Sequence, residues 1–303
     1  MIRVRAYQLT FASDLELPGL PAAAASDPVD VTIRLAEGGT EAWAAGGTRW
    51  EARPGEACLV LEGVAAYRVQ DGRSITVAPA PGADPADVRL FLMGSALGAL
   101  LYQRGLLPLH GSAVATPWGA MVFAGPSGIG KSTLAAHLRQ AGFPLLSDDV
   151  CALARRADGR LQVLPAFPRL RLLPDAAGRL YGPGAAARVD RDKVVVDLAA
   201  EVDAAPVVLG AVHHLEDEAA GPALRKVEGF EAIQRLSDNL YRPAFLGAEP
   251  RPGGVLRLAA ALGATAPVFV LGRPRDAARL DTLVEWLEDQ WRRRLPAALP
   301  TDP

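Results

Sequence analysis

The sequence predicts an α/β fold in which a small β-rich N-terminal domain precedes a P-loop nucleotide-binding domain. Three observations predict it. Short, partly alternating apolar segments separated by turn residues fill the first eighty positions. Gly125-Pro126-Ser127-Gly128-Ile129-Gly130-Lys131-Ser132 then fits G-x-x-x-x-G-K-[ST] at every fixed position. Soon after it, Ser147-Asp148-Asp149 supplies an acidic pair at the end of a strand-like segment.

Composition sets the frame for these elements. The chain has 303 residues, 32 basic against 34 acidic side chains, a net charge of −2, and a 50% hydrophobic content. A near-neutral chain lacks the global basic excess of a nonspecific nucleic-acid binder. The apolar fraction excludes a disordered chain. Cys58 and Cys151 are too few for a disulfide framework and are expected to be reduced in a cytoplasmic protein. Met1–Tyr7 has no apolar signal region, and the apolar run Leu90–Tyr102 is too short to span a bilayer. Gly94 and Gly98 within it have GxxxG spacing, read here as close helix packing in a globular protein. Lys131, Lys193 and Lys226 are the only lysines, a skew toward arginine that fits coding bias.

In the N-terminal part, Val4–Phe11, Val29–Leu35, Ala57–Leu61 and Ser74–Val77 read as strands of an antiparallel sheet. Pro18-Gly19, Gly38-Gly39, Gly46-Gly47 and Asp71-Gly72 mark turns. The Ala78–Ala83 stretch reads as a linker, which places the domains at residues 1–83 and 84–303. A buried helix follows, with Asp84 as N-cap, Pro85 at the first position and Gly105 as terminator. Leu107–Ala115 and Ala120–Ala124 read as a hairpin joined by Thr116-Pro117-Trp118-Gly119. The phosphate-loop helix runs from Thr133 to Gln140, and Gly142 and Pro144 end it.

The chemistry follows from residue types. Glycines let the loop backbone wrap closely around phosphate oxygens and adopt positive φ. Successive N–H groups and the helix N-terminus make an anion nest running from Gly125 to Thr133. Lys131 supplies a cation for the outer phosphates, and the Ser132 hydroxyl suits Mg²⁺. Of Asp148 and Asp149, one carboxylate can hold Mg²⁺ and the other can take a proton from an attacking hydroxyl. If the hairpin forms, His110 reaches the same sheet edge as the loop and can approach the phosphate or the acids.

The ordered set His110-Gly111, Gly125–Ser132 and Ser147-Asp148-Asp149 resembles the catalytic domain of the bacterial HPr serine kinase/phosphorylase family, which is similar in its nucleotide core to the phosphoenolpyruvate carboxykinases. The match is firm over Leu107–Val150 and weaker through Leu153–Leu198 and Glu228–Leu246. The start of the chain, Tyr7-Gln8-Leu9-Thr10 with Leu17-Pro18-Gly19-Leu20, also looks like HPr-kinase-like proteins, some of which resemble lasso-peptide tailoring kinases that phosphorylate a serine. The resemblance implies ATP and Mg²⁺ as cofactors and a peptide or protein bearing a serine hydroxyl as substrate. It implies Asp148 as general base, Asp149 with Ser132 as the Mg²⁺ site, and His110 as the histidine acting on the acids and phosphate. It also suggests a homo-oligomer. No segment matches the Glu-x-x-Gly-Leu-Gly type sequence of the bifunctional enzyme, and Leu215–Gly221 is a poor stand-in.

Other features are weaker. Pro174–Val194 reads equally as a substrate or phosphate loop and as a solvated connection, with Lys193 its best candidate and Arg171 (beside Arg169) a further one. His213-His214 on a strand point to opposite faces and read as structural. His137 reads as solvent-facing. The Arg275–Arg294 helix reads as core packing or a dimer surface through Leu280, Leu283, Val284 and Leu287. The expected function is therefore an ATP-dependent serine kinase, with no nucleic-acid or membrane partner. The alternatives are a small-molecule kinase on the same core, other carboxykinase-like phosphoryl chemistry, and a non-catalytic nucleotide sensor.

Overall fold

The computed structural model describes residues 1–36, 47–167, 169–182, 188–190, 193–198, 205–218, 220–248, 254–274 and 279–297. The chain forms two compact units, Met1–Pro108 with Tyr241–Val255, and Leu109–Leu240 with Leu256–Pro303. The division falls after Pro108, whereas the composition break at 78–83 set it earlier. The helical stretch after that break belongs to the first unit.

The first unit is a seven-stranded sheet. Its strands are β1 (Ile2–Ala6), β2 (Leu9–Ser13), β3 (Val31–Leu35), β4 (Arg49–Arg53), β5 (Glu56–Leu61), β6 (Ala65–Gln70) and β7 (Ser74–Pro79). Their order in space is β1-β2-β3-β7-β6-β5-β4. Two sequence expectations change here. Val4–Phe11 is two strands, because Tyr7 and Gln8 take φ of 55° and 60° and make a tight reversal between β1 and β2. Positive φ at both central positions matches the right-handed twist of the flanking strands. No glycine marked this turn. The sheet is also not wholly antiparallel: β3 runs parallel to both β2 and β7. Residues 14–30 return the chain to the start of the sheet before β3, and that length permits a parallel crossover. The expected turn at Gly38-Gly39 lies outside the described residues.

The linker leads into α1 (Pro85–Phe91), a π-helical turn at Leu92–Ala96, and α2 (Leu97–Gln103). Asp84 caps α1 by accepting the Ala86 N–H at 2.8 Å. The two spaced glycines seat a ring: a Cβ on Gly98 would lie 2.8 Å from the Tyr241 ring, and one on Gly94 3.0 Å from its hydroxyl. Close packing is thus the use of the GxxxG spacing. Among the described residues no helix is long and apolar enough to cross a membrane.

The second unit is mixed α/β. β8 (Leu107–Thr116) and β9 (Gly119–Ala124) form the expected hairpin, with Gly111 opposite Ala124. α3 (Lys131–Gln140) follows the glycine loop, and β10 (Leu145–Ser147) returns antiparallel to β8. β11 (Val150–Arg155) and β12 (Leu161–Leu164) form a second hairpin. The Pro174–Val194 stretch is ordered structure where it is described, not an open loop. β13 (Arg169–Leu172), α4 (Pro174–Tyr181), β14 (Arg188–Asp190) and β15 (Lys193–Asp197) contribute a three-stranded sheet of order β13-β15-β14. β16 (Val207–Asp217), β17 (Ala223–Val227), α5 (Gly229–Asp238), α6 (Gly254–Gly263), β18 (Val268–Arg273) and α7 (Leu280–Arg294) complete the unit. β16 lies between β9 and β18, parallel to both.

Leu134 and Leu138 of α3 and Leu283, Leu287 and Trp291 of α7 join Phe123, Leu215 and Leu271 of the sheet in one core. Their spacing on each helix is the 3.6-residue stripe that buries one face. The start of the expected 275–294 helix falls outside the described residues. His137 is not solvent-facing as expected: it is largely covered and its Nδ1 lies 2.9 Å from the Asp281 carboxylate at the start of α7. His213 is fully buried, stacked between Phe123 and Phe269, and its Nε2 accepts the Trp291 indole N–H at 3.0 Å. Burial pushes its pKa down to about 3, so it is a neutral core residue.

Candidate active site

The glycine loop leaves β9 and enters α3 with three residues at positive φ: Gly125 at 132°, Gly128 at 80° and Gly130 at 95°. Each φ is one that an L side chain rarely adopts. At Gly125 the constraint is also steric, since a Cβ would lie 3.0 Å from the Leu215 carbonyl. At Gly130 a Cβ would run into the Arg273 guanidinium, whose Nη2 donates to the Ile129 carbonyl. Pro126, Ser127 and Gly128 are exposed, and nothing lies near the vacant side of Gly128. The result is a cradle open to solvent above the N-terminus of α3, where the first helical N–H groups have no helical acceptor.

Lys131 is buried, and its Nζ donates to the carbonyls of Gly125 at 2.8 Å and Pro126 at 3.0 Å. Burial lowers its pKa, and the Asp149 and Asp148 charges oppose that shift. The ammonium therefore sits inside the cradle with carboxylates close by.

The acidic pair is split by the backbone. Asp148 is buried at 5% exposure and accepts three hydrogen bonds: from Ser112 Oγ at 2.6 Å and Ser132 Oγ at 2.8 Å on Oδ1, and from the Arg171 N–H at 2.9 Å on Oδ2. Asp149 takes φ of 75°, which turns its side chain the other way. Its carboxylate is about a third exposed and lies 3.5 Å from His110 Nδ1 and 3.4 Å from Arg171 Nη1. The carboxylate in contact with the Ser132 hydroxyl is that of Asp148, whereas the resemblance implied Asp149 beside Ser132 at Mg²⁺.

His110 lies one residue past the last hairpin pair, beside the start of the loop. Its Nδ1 is 3.1 Å from the Asp149 carbonyl oxygen. Burial and then the Lys131 charge lower its pKa, while Asp149 works in the opposite direction. Arg171 reaches Asp149 from β13, and Lys193 on the neighbouring β15 is close enough for its charge to depress the Lys131 pKa. His110, the glycine loop, Asp148, Asp149, Arg171 and Lys193 thus lie at one end of the second unit.

Sequence reasoning missed two participants. Ser112 directly follows the His110-Gly111 pair, and its period-two relation to His110 on β8 was the available signal. Asn239, which accepts the Gly125 N–H at 2.7 Å, gave no local signal.

Ser132 and Asp148 offer hard oxygen ligands, as Mg²⁺ prefers. Among the described residues no group of three or more His, Cys, Asp or Glu side chains is placed to hold a metal by itself. Mg²⁺ bound through one or two protein oxygens, with phosphate and water completing its shell, fits that set.

No family model matches the chain, and no curated protein matches it. Among solved structures, the chain is similar to the Hpr(Ser) kinase/phosphatase from Coxiella burnetii, at 17% identity and a TM-score of 0.35, over 62% of this chain and 91% of that one.

Proposed function

We propose that the protein is an ATP- and Mg²⁺-dependent kinase that phosphorylates a serine-type hydroxyl of a peptide or protein. The observation that carries this reading is the split acidic pair beside the Gly-Lys-Ser loop. One carboxylate is buried on the loop serine, and the other is turned outward between a histidine and an arginine. The outward carboxylate is placed where it can take a proton from an acceptor hydroxyl.

Loop N–H groups between Ser127 and Thr133 and the Lys131 ammonium hold the phosphates of ATP. Ser132 and Asp148 would hold Mg²⁺, which would neutralise charge on the phosphates. Asp149 accepts the proton of the acceptor hydroxyl as its oxygen bonds to the γ-phosphorus and the bond to ADP breaks. His110 orients the Asp149 carboxylate. Arg171 and Lys193 stabilise the negative charge on the transferring group. This exchanges the two aspartate roles implied by the family resemblance, on the ground of which carboxylate contacts Ser132.

The test is incubation with radiolabelled ATP and cell extract, followed by mass spectrometry of labelled products. The reading expects phosphoserine on a peptide or protein, lost in Lys131→Ala. Label on a metabolite alone would replace it with the small-molecule kinase. ATP binding without any transfer would replace it with the sensor.

A further inference from the structure

Asn239 is buried at 5% exposure at the C-terminal cap of α5, and its hydrogen bonds go to several separate pieces of the site. Its side-chain Oδ1 accepts the N–H of Gly125, the first residue of the loop, at 2.7 Å. Its backbone carbonyl accepts the His110 N–H at 2.8 Å. Its Nδ2 donates to the Arg235 carbonyl at 2.7 Å and lies 3.0 Å from His214 Nδ1. The next residue, Leu240, forms an antiparallel bridge with Leu109.

The position explains the bonds. The β8–β9 ladder ends at Gly111–Ala124, so the next residues, His110 and Gly125, leave the ladder with no partner from it. Both are buried or half-buried there, and a covered N–H without an acceptor is costly. Asn239 supplies both acceptors from a single residue. The orientation of its amide is fixed, since Oδ1 must face the Gly125 N–H and Nδ2 must face the Arg235 carbonyl.

We infer that Asn239 is a positioning residue that sets the start of the phosphate loop in register with His110. The inference rests on the reading of Gly125–Ser132 as the ATP site. Asn239 touches neither substrate nor metal in this arrangement. It holds Gly125 at its unusual φ, from which the Lys131 acceptor carbonyl and the following loop N–H groups take their direction.

Three measurements test it. In the wild-type protein without nucleotide, hydrogen exchange at the Gly125 amide should be slow, whereas exchange as fast as at Ser127 and Gly128 would overturn the inference. Calorimetry with MgATP, at a temperature where each variant is fully folded, should show about tenfold weaker binding for Asn239→Ala, the cost of one buried N–H left unpaired. Binding within about twofold of wild type would overturn it. Asn239→Asp keeps the acceptor for Gly125 while losing the donor to Arg235, so it should melt earlier yet bind MgATP within about threefold of wild type. A loss equal to that of alanine would show that the acceptor is not what matters. Lys131→Ala is the control. If wild-type protein binds no MgATP, the ATP reading fails while the exchange result still reports on the clamp. If wild type binds, Lys131→Ala does not, and Asn239→Ala binds normally, only the clamp fails.

Discussion

Asn substitutions at the two adjacent aspartates should have opposite consequences. Asp148 is buried and serves two hydroxyl donors and one backbone donor. An amide at that position must point its oxygen at the Arg171 N–H, because a backbone donor cannot turn away. Its NH₂ then faces Ser112 and Ser132, whose hydroxyls must rotate to accept. Three charge-assisted bonds become neutral ones, each weaker by about 1 kcal/mol, so Asp148→Asn should lose about 2–3 kcal/mol of folding stability. Asp149 is about a third exposed and its partners stand at 3.4 and 3.5 Å, so Asp149→Asn should cost under about 1 kcal/mol. Urea denaturation without nucleotide measures both. Calorimetry with ATP, with and without Mg²⁺, adds the functional contrast. Asp148→Asn should lose most of the Mg²⁺-dependent gain in affinity, about tenfold or more. Asp149→Asn should bind MgATP as wild type does, while phosphoryl transfer falls by about 10²–10⁴. If Asp148→Asn kept its stability and its Mg²⁺ response, and Asp149→Asn lost the latter, the assignment drawn from the Ser132 contact would be refuted.

Further predictions follow from the same contacts. Lys131→Ala should lower ATP affinity by more than about tenfold, since the cation buried in the cradle is removed; unchanged calorimetric binding would end the nucleotide-site reading. His213 has a folded pKa of about 3 against about 6.5 unfolded, so below pH 6.5 the unfolded chain binds a proton that the folded chain refuses. Stability should therefore fall with pH from about 6.5 down to about 3, by about 3 kcal/mol at pH 4.5, and His213→Gln should remove that component of the urea-derived profile. Gly98→Ala should destabilise the protein by about 1–3 kcal/mol, because the added methyl meets the Tyr241 ring; an unchanged melting temperature would contradict the packing described.

Legibility in the sequence tracked how local the physics was. The glycine loop was readable because φ, donor placement and helix entry are all set within Gly125–Ser132. The hairpin before it was readable because Thr116–Gly119 is a turn by composition and both flanks are apolar. The aspartates were not separable, because two adjacent identical side chains differ only in the backbone angle at Asp149, which the tertiary structure sets. Asn239 was invisible because its partner Gly125 is 114 positions away and asparagine at a helix end is an ordinary cap. The reversal at Tyr7-Gln8 escaped for the opposite reason: neither residue announces a turn, and the burial of Tyr7 holds it in place. The parallel setting of β3 depended on the path of residues 14–30, which carries no periodic signal.

The left-handed backbone at Asp149 also narrows which residues that position can hold. Among L residues, aspartate and asparagine enter this region at lower cost than most, because their short polar side chains bond locally, and glycine enters it freely. A longer acid would meet the steric penalty of the region and would carry its charge past His110 and Arg171. The two least costly replacements, asparagine and glycine, carry no charge. Replacement along those least costly routes keeps the local backbone and gives up the outward charge in the same step.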